Sequence, residues 1–268
     1  MGPWAEEKYS LILLYNQLFS KGMKNKWDQR VYIDLFCGAG KSRIETSGRI
    51  VLGSPMLALG VEDKYDTYIF CDEDERSIHA LQCRVASHHP SVKPKFVVGD
   101  CNQKVDEICA HIPKPSVNNT VLTFCLVDPY ALRFKFETIR RLGKFLMDFL
   151  ILLPFGMDVN RNRKKYFQEN HTRIEDFLGL SDWRSRWAVT QTKDPSFQRF
   201  LAREFAAQMV CQGYRSESLH SMIEIRSSEK NLPLYHLAFF SKHELGYKFW
   251  REGRRSVEEP ELPFRQDG

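Results

Sequence analysis

The 268-residue sequence lacks any apolar run long enough to cross a membrane as a helix. Its longest, Phe149 to Met157, contains Pro154 and Gly156 and falls far short of the roughly 20 residues required. The start lacks the basic-then-apolar order of a secretory signal, and Glu6 stands where a myristoylation signal needs Ser or Thr. No C-x-x-C pair occurs among the seven cysteines, Cys37, Cys71, Cys83, Cys101, Cys109, Cys125 and Cys211. An odd, scattered set in apolar contexts points to a reducing cytoplasm and away from disulfides or zinc. The eight histidines show no ligand spacing, so no metal is expected. Repeats and low-complexity segments are absent as well. Disorder is excluded by what is present: 43% hydrophobic residues, 13% aromatic, and a net charge of only +5.

The charge is uneven. Up to Tyr130 there are 15 basic and 16 acidic residues, and the remaining 24 basic against 18 acidic residues place an excess of +6 in the second half. Trp4 to Ser20 carries Leu11, Leu14, Tyr15 and Leu18 at helical spacing. Short β-rich runs follow: Val31–Phe36, Asp66–Cys71, Lys95–Val98, Thr120–Val127 and Phe149–Leu153. Between them, Ser54-Pro55 reads as an N-cap with Pro at the first helical position, and Ser77 to His88 reads as helix. Near-continuous apolar strands alternating with helices predict a parallel sheet covered on both faces. After Pro154 the pattern changes to a charge-rich helical stretch, Arg161 to Gln212. Two alternating strands come next, near Ser218–Arg226 and Leu234–Phe240, joined by a polar loop with Lys230, Asn231 and Pro233. Five parallel strands with a terminal antiparallel pair make the layout of class I methyltransferases. The expected fold is therefore α/β and Rossmann-like, with strand order 3-2-1-4-5-7-6 and a helical insertion after strand five. We read residues 1–268 as one domain: an N-terminal helix (4–27), a cofactor-binding core (28–157), a helical insertion (158–214), a closing hairpin (215–250) and a tail (251–268).

In such sheets ligands bind beyond the carboxyl ends of the strands, so the residues just after each strand carry the chemistry. After strand one stand Asp34, Phe36, Gly38 and Gly40; the glycines allow close backbone approach to a ligand and positive φ, or equally an ordinary tight turn. This is not the dinucleotide fingerprint G-x-G-x-x-G, because Arg43 holds the third position and residues 41–53 separate the turn from the helix at Ser54. An NAD-dependent oxidoreductase is therefore the lesser reading. After strand two, Asp72 is placed to accept both ribose hydroxyls, while Glu73 to Glu75 suit a solvated helix start. After strand three, Asp100 and Cys101 could meet an adenine. After strand four comes Asp128-Pro129-Tyr130. Amino-group methyltransferases place here an acceptor for the target NH2 and an aromatic that stacks on the flipped base. Alone, these residues would read equally as an Asp-Pro turn. They usually carry two prolines; here Tyr130 follows Pro129 alone. Cytosine C5 methylation needs a Pro-Cys nucleophile, and none occurs.

Several segments together resemble the three-Cys-motif partner proteins. They are Tyr32–Gly40, Gly53–Leu59, Val127–Tyr130, Leu153–Arg161, Asp176–Trp183 and Tyr235–Gly246, followed by Trp250. The resemblance spans about residues 6 to 252, and Lys242-His243 is its most diagnostic part. It implies a Rossmann-type methyltransferase fold beside a separate protein bearing a three-cysteine motif. The expected function is S-adenosyl-L-methionine-dependent methyl transfer, to a nitrogen of a nucleic-acid base or to a substrate presented by that partner. The alternative is a non-catalytic cofactor-binding subunit of the three-Cys-motif protein. Catalysis would fall to Asp128, Pro129 and Tyr130, and cofactor binding to Asp34, Phe36, Gly38, Gly40, Asp72, Asp100 and Cys101. The dense basic run Arg161, Arg163, Lys164 and Lys165 could meet RNA or DNA phosphates, with Tyr166, Phe167, Trp183 and Trp187 nearby to stack on bases. The same run equally suits a solvated helix face, and the aromatics equally suit the core. Lys242 and His243 are expected to bind substrate or, equally, to form the polar exit of the last strand.

Overall fold

The structure is a computed structural model that describes residues 5–215, 222–226 and 233–258. Five strands run parallel: β1 (Gln29–Asp34), β4 (Thr67–Asp72), β5 (Lys95–Val98), β6 (Val121–Val127) and β7 (Met147–Leu153). Two more, β8 (Ile223–Arg226) and β9 (Pro233–Phe240), add antiparallel, giving the order β5-β4-β1-β6-β7-β9-β8. Counted along the sheet alone this is 3-2-1-4-5-7-6, the expected class I methyltransferase arrangement. All seven residues of β6 and all seven of β7 are buried, as their unbroken apolar runs require. Residues 218–221 of the expected sixth strand, and Lys230 and Asn231 of its loop, lie outside the described residues.

Helices cover both faces. On one side pack α1 (Ala5–Met23), α2 (Ser54–Gly60), α3 (Glu75–His88) and α10 (Glu244–Glu258). Tyr15 of α1 ties this layer together: its ring lies 4.9 Å from Phe124 of β6, 4.8 Å from Phe239 of β9 and 5.9 Å from Trp250 of α10. On the other side pack α4 (Val105–Ala110), α5 (Phe136–Leu142), α7 (Arg173–Leu178), α8 (Trp183–Thr190) and α9 (Phe197–Cys211). A single π-turn, Phe155–Val159, leads from β7 into α6 (Asn160–Tyr166).

Two expectations are corrected here. Residues 251–258 are helical, not a tail, because α10 is amphipathic and buries Tyr247 and Trp250 against α1 and β9. Gly53, not Ser54, caps α2; Pro55 holds its first turn, and the buried Ser54 hydroxyl bonds Asp34 instead. The 41–53 segment, read from the sequence only as a long connection, holds strands: β2 (Lys41–Arg43) and β3 (Ile50–Leu52) form a separate two-stranded ribbon. All seven cysteines are free thiols. Among the described residues, no helix is long and apolar enough to cross a membrane.

Candidate functional site

β1 and β6 are neighbours whose outgoing connections pass to opposite sides of the sheet. Ligands enter at the crevice this leaves beyond the strand ends. Two cavities open there. One, of about 550 Å³, is lined by Lys8, Gly38, Gly40, Ser54, Arg161 and Tyr235, among others. The second, of about 230 Å³, is lined by Asp72, Glu73, Gly99, Asp100, Cys101 and Arg133. Phe36, Asp128 and Tyr130 line both and so stand at their junction.

The backbone after β1 is shaped by its glycines. Gly38 and Gly40 have φ of +57° and +79°. A Cβ on Gly40 would lie 2.7 Å from Leu81 Cδ1 and 2.9 Å from Met56 Cγ, whereas one on Gly38 would meet nothing within 4 Å. Gly38 therefore leaves the cavity open, and Gly40 lets α2 and α3 close beneath it. Asp72 braces the same loop. Its carboxylate accepts the Gly38 amide at 2.8 Å and the Asp74 amide at 2.9 Å, one on each oxygen. A carboxylate can accept further donors, so a ribose hydroxyl remains compatible with both bonds. Asp100 accepts twice from Asn102, from its amide at 2.9 Å and its side chain at 2.8 Å. Cys101 is buried, and burial pushes its thiol far above the usual range, so it is a wall and not a nucleophile.

Asp34 does not line either cavity, which corrects its assignment as a direct ligand. It is fully buried beneath the loop, accepting from the Phe36 amide at 3.3 Å and from the Ser54 hydroxyl. Burial drives its pKa up to about 7, and the nearby charges of Asp128 and Asp72 push the same way against those two hydrogen bonds.

Asp128 is held by a residue that the strand-end pattern does not reveal. Lys8, only 1% exposed, reaches in from α1 and donates to Asp128 Oδ2 at 2.6 Å. Burial alone would strongly lower its pKa, but the Asp128, Tyr9 and Asp34 charges outweigh it and raise the value. None of the described residues donates to Asp128 Oδ1. Pro129 is buried, while Tyr130 is 79% exposed at the mouth. The turn behind Tyr130 is anchored by buried Asp158, whose Oδ2 accepts from the Leu132 amide and the Tyr166 hydroxyl, each at 2.7 Å. On the other flank, Asn102 accepts from the Lys135 amide at 2.9 Å and donates to the Arg133 carbonyl at 3.0 Å. The Arg133 side chain then crosses the smaller cavity to Glu73 at 2.7 Å.

The basic run is divided by the structure. Arg161 lines the larger cavity, and Lys164 and Lys165 are exposed on α6. Arg163 lies instead over the rings of Phe167, Trp187 and Phe197, at 5.5 to 5.8 Å. The expected stacking aromatics are core: Tyr166, Trp183 and Trp187 are buried and Phe167 packs edge-on to Trp183. Their place is taken at the cavity by Tyr9, Tyr130 and Tyr235. Lys242 and His243 lie at the opposite edge of the sheet, because β9 runs antiparallel to β7 and its end pairs with the start of β7. Lys242 there donates to the Gly143 carbonyl at 2.6 Å and covers the Tyr214 ring. The start of β9 is what reaches the site, bringing Tyr235. Among the described residues, no group of three or more His, Cys, Asp or Glu side chains is placed to hold a metal ion.

No family model and no curated protein matches the sequence. Among solved structures, the chain is similar to protein LPL1258 from Legionella pneumophila str. Philadelphia 1, at 12% identity and a TM-score of 0.49, over 94% of this chain and 92% of that one. It is also similar to an S-adenosylmethionine-dependent methyltransferase from Clostridium acetobutylicum ATCC 824, at 12% identity and a TM-score of 0.33. There the match spans only 54% of this chain and 52%, about half, of that one. Geranyl diphosphate C-methyltransferase from Streptomyces coelicolor A3(2), in complex with S-adenosyl-L-homocysteine, matches at 10% identity and a TM-score of 0.39, over 84% and 78% of the two chains. The sheet order nonetheless defines a Rossmann-like α/β fold of the class I methyltransferase type, and the roles below rest on this chain's own residues.

Proposed function

We propose that the protein is an S-adenosyl-L-methionine-dependent methyltransferase acting on a nitrogen of a nucleic-acid base. The observation that carries the reading is the position of Asp128, at the junction of two cavities, with one oxygen fixed by Lys8 and the other uncommitted. The donor set suits the cofactor. Asp72 would accept a ribose hydroxyl, Asp100 and the wall formed by Cys101 would meet the adenine, and the space that a Cβ on Gly38 would fill is left open. When bound, the cofactor supplies an electrophilic methyl group on a sulfonium.

The chain's own residues would do the positioning. Asp128 Oδ1 would accept an N–H of the target amine and orient its nitrogen, while Tyr130 would cover the base at the mouth. Pre-arranged geometry of this kind supplies most of the acceleration in a direct transfer. Arg161 in the cavity, with Lys164 and Lys165 on the same helix, would meet the phosphates. The free thiols suit a cytoplasmic protein.

The test is transfer of labelled methyl from the cofactor to cellular RNA, DNA and protein fractions, with and without the three-Cys-motif protein. Label in a nucleic-acid fraction that disappears in Asp128→Ala supports the reading. Cofactor binding without transfer in every arm would favour the non-catalytic subunit, and label confined to protein would move the acceptor to a partner-presented substrate.

A further inference from the structure

β2 and β3 pair only with each other, in the register Lys41 with Leu52, Ser42 with Val51 and Arg43 with Ile50. Directly opposed residues share a face, and successive residues alternate between faces. One face turns inward: Ser42 lines the larger cavity and Val51 packs on the core beneath α1 and α2. The other carries Lys41, Arg43, Ile50 and Leu52. Ile50 is 60% and Leu52 44% exposed, among the few large apolar side chains this fold leaves in water. Lys41 makes no ion pair with any described residue. The outer face thus alternates cations with apolar side chains and carries no acid.

We infer that this ribbon is a nucleic-acid-gripping arm: Lys41 and Arg43 meet phosphates, and Ile50 and Leu52 press against the bases that flank the one presented to Asp128. The inference rests on the nucleic-acid reading above and goes beyond it in naming a second, independent contact surface. Its position argues for it. Ser42 and Glu45 of the ribbon segment line the larger cavity together with Arg161 of α6, so a strand that leaves the cavity past the ribbon comes within reach of its outer face. Its chemistry argues the same way. A base cannot reach Asp128 while stacked in a duplex, and extracting it costs unstacking energy. Proteins that unstack bases do so with exposed apolar side chains set among cations, and a two-stranded ribbon is narrow enough to enter a groove. An acidic protein surface would satisfy Lys41 but would leave the exposed Ile50 and Leu52 without an apolar partner.

The two halves of the ribbon's face predict different signatures in one experiment. Binding of labelled 20-nucleotide RNA and DNA, each as a single strand and as a hairpin, is measured by anisotropy across a salt series. Lys41→Gln is expected to weaken every probe several-fold and to flatten the log–log salt slope by about 0.7 to 0.9. The double variant Ile50→Ser, Leu52→Ser is expected to weaken binding about tenfold with the slope unchanged, since no counterion is released by an apolar contact, and to weaken the hairpins more than the single strands. Its affinity for S-adenosyl-L-homocysteine, read by calorimetry, should stay at the wild-type value, which shows that the fold is intact. Wild-type binding that both variants retain in full overturns the ribbon alone. A wild type that binds the cofactor product but none of the four probes overturns the nucleic-acid reading and the ribbon with it. Retained probe binding with loss of a co-purifying protein overturns the inference in favour of protein docking.

Discussion

Lys8 and Asp128 are separated by 120 positions in the chain and by 2.6 Å in space, and the ammonium of the first is buried wholly within the fold. The contact makes α1 part of the site. Its helix is held in place by Tyr15, packed on Phe124, Phe239 and Trp250, so the acceptor side of the cleft depends on the docking of the first helix to the last.

Removing one member of such a pair leaves a charge without its partner. Lys8→Met is expected to cost about 3 kcal/mol in urea unfolding at pH 7. Lys8→Met, Asp128→Asn should recover part of that loss, with a coupling of about 1 kcal/mol or more. The sign of the pH dependence follows from the raised Lys8 pKa. A group whose folded value lies above its unfolded one stabilises fully below the unfolded value, here 10.5, and loses that contribution as pH rises through the folded value. The stability gap between wild type and Lys8→Met should therefore hold constant through neutrality and close only above about pH 10.5. A gap that closes between pH 6 and 8 would assign it to another group.

The strand ends were legible in the sequence because period and burial announce them: unbroken apolar runs gave β6 and β7, and Asp72, Asp100 and Asp128 follow their strands in the cleft as the topology dictates. Lys8 was not legible. It lies on an amphipathic helix among ordinary polar neighbours, and only the tertiary docking of that helix brings it to β6. Lys242 and His243 fall on the polar exit of the last strand and not at the site, because β9 runs antiparallel to β7 and ends at the far edge of the sheet. Of the two readings of Trp183 and Trp187, base stacking or core, the core one holds: both are buried, and Arg163 covers Trp187.

Two buried carboxylates make a second prediction. Asp34, pushed up to about 7 chiefly by burial, and Asp148, likewise about 7 from burial opposed by its bond to Ser241, are harder to ionise folded than unfolded. The folded state then binds more protons between pH 3.8 and about 7, so these groups make stability fall as pH rises through that window and have no further effect above it. The penalty at pH 8 is at most about 4 kcal/mol for each. Asp34→Asn, which can still accept from the Phe36 amide, should be more stable than wild type by about 2 kcal/mol at pH 8 and nearly equal at pH 4. A difference that does not change with pH would show that Asp34 keeps its ordinary value.

Cofactor recognition rests most heavily on Asp72. A charged hydrogen bond contributes about 1.5 to 3 kcal/mol, so Asp72→Ala should weaken S-adenosyl-L-homocysteine binding by roughly 10- to 100-fold. Loss of the Gly38 and Asp74 amide bonds adds to this by loosening the glycine loop. Asp72→Asn separates the two effects, since its carbonyl can keep one amide bond and the loop with it. Calorimetry giving wild-type affinity in a folded Asp72→Ala variant would remove the residue from the site.

The two glycines of that loop should fail differently. Both have positive φ, which costs an alanine about 1 to 2 kcal/mol. At Gly38 that strain is the whole stability cost, because the added Cβ meets nothing within 4 Å. The methyl group instead enters the larger cavity that Gly38 lines, so Gly38→Ala should melt only slightly below wild type yet bind S-adenosyl-L-homocysteine about tenfold more weakly. At Gly40 the same methyl group runs into Leu81 and Met56, and overpacking of this kind adds about 1 to 3 kcal/mol. Gly40→Ala should therefore lose more stability than affinity, once binding is measured at a temperature where the variant is folded. Thermal unfolding and calorimetry on the two variants read both quantities. A Gly38→Ala protein that loses stability as severely as Gly40→Ala while keeping its affinity would mean that the space above residue 38 is not where the cofactor binds.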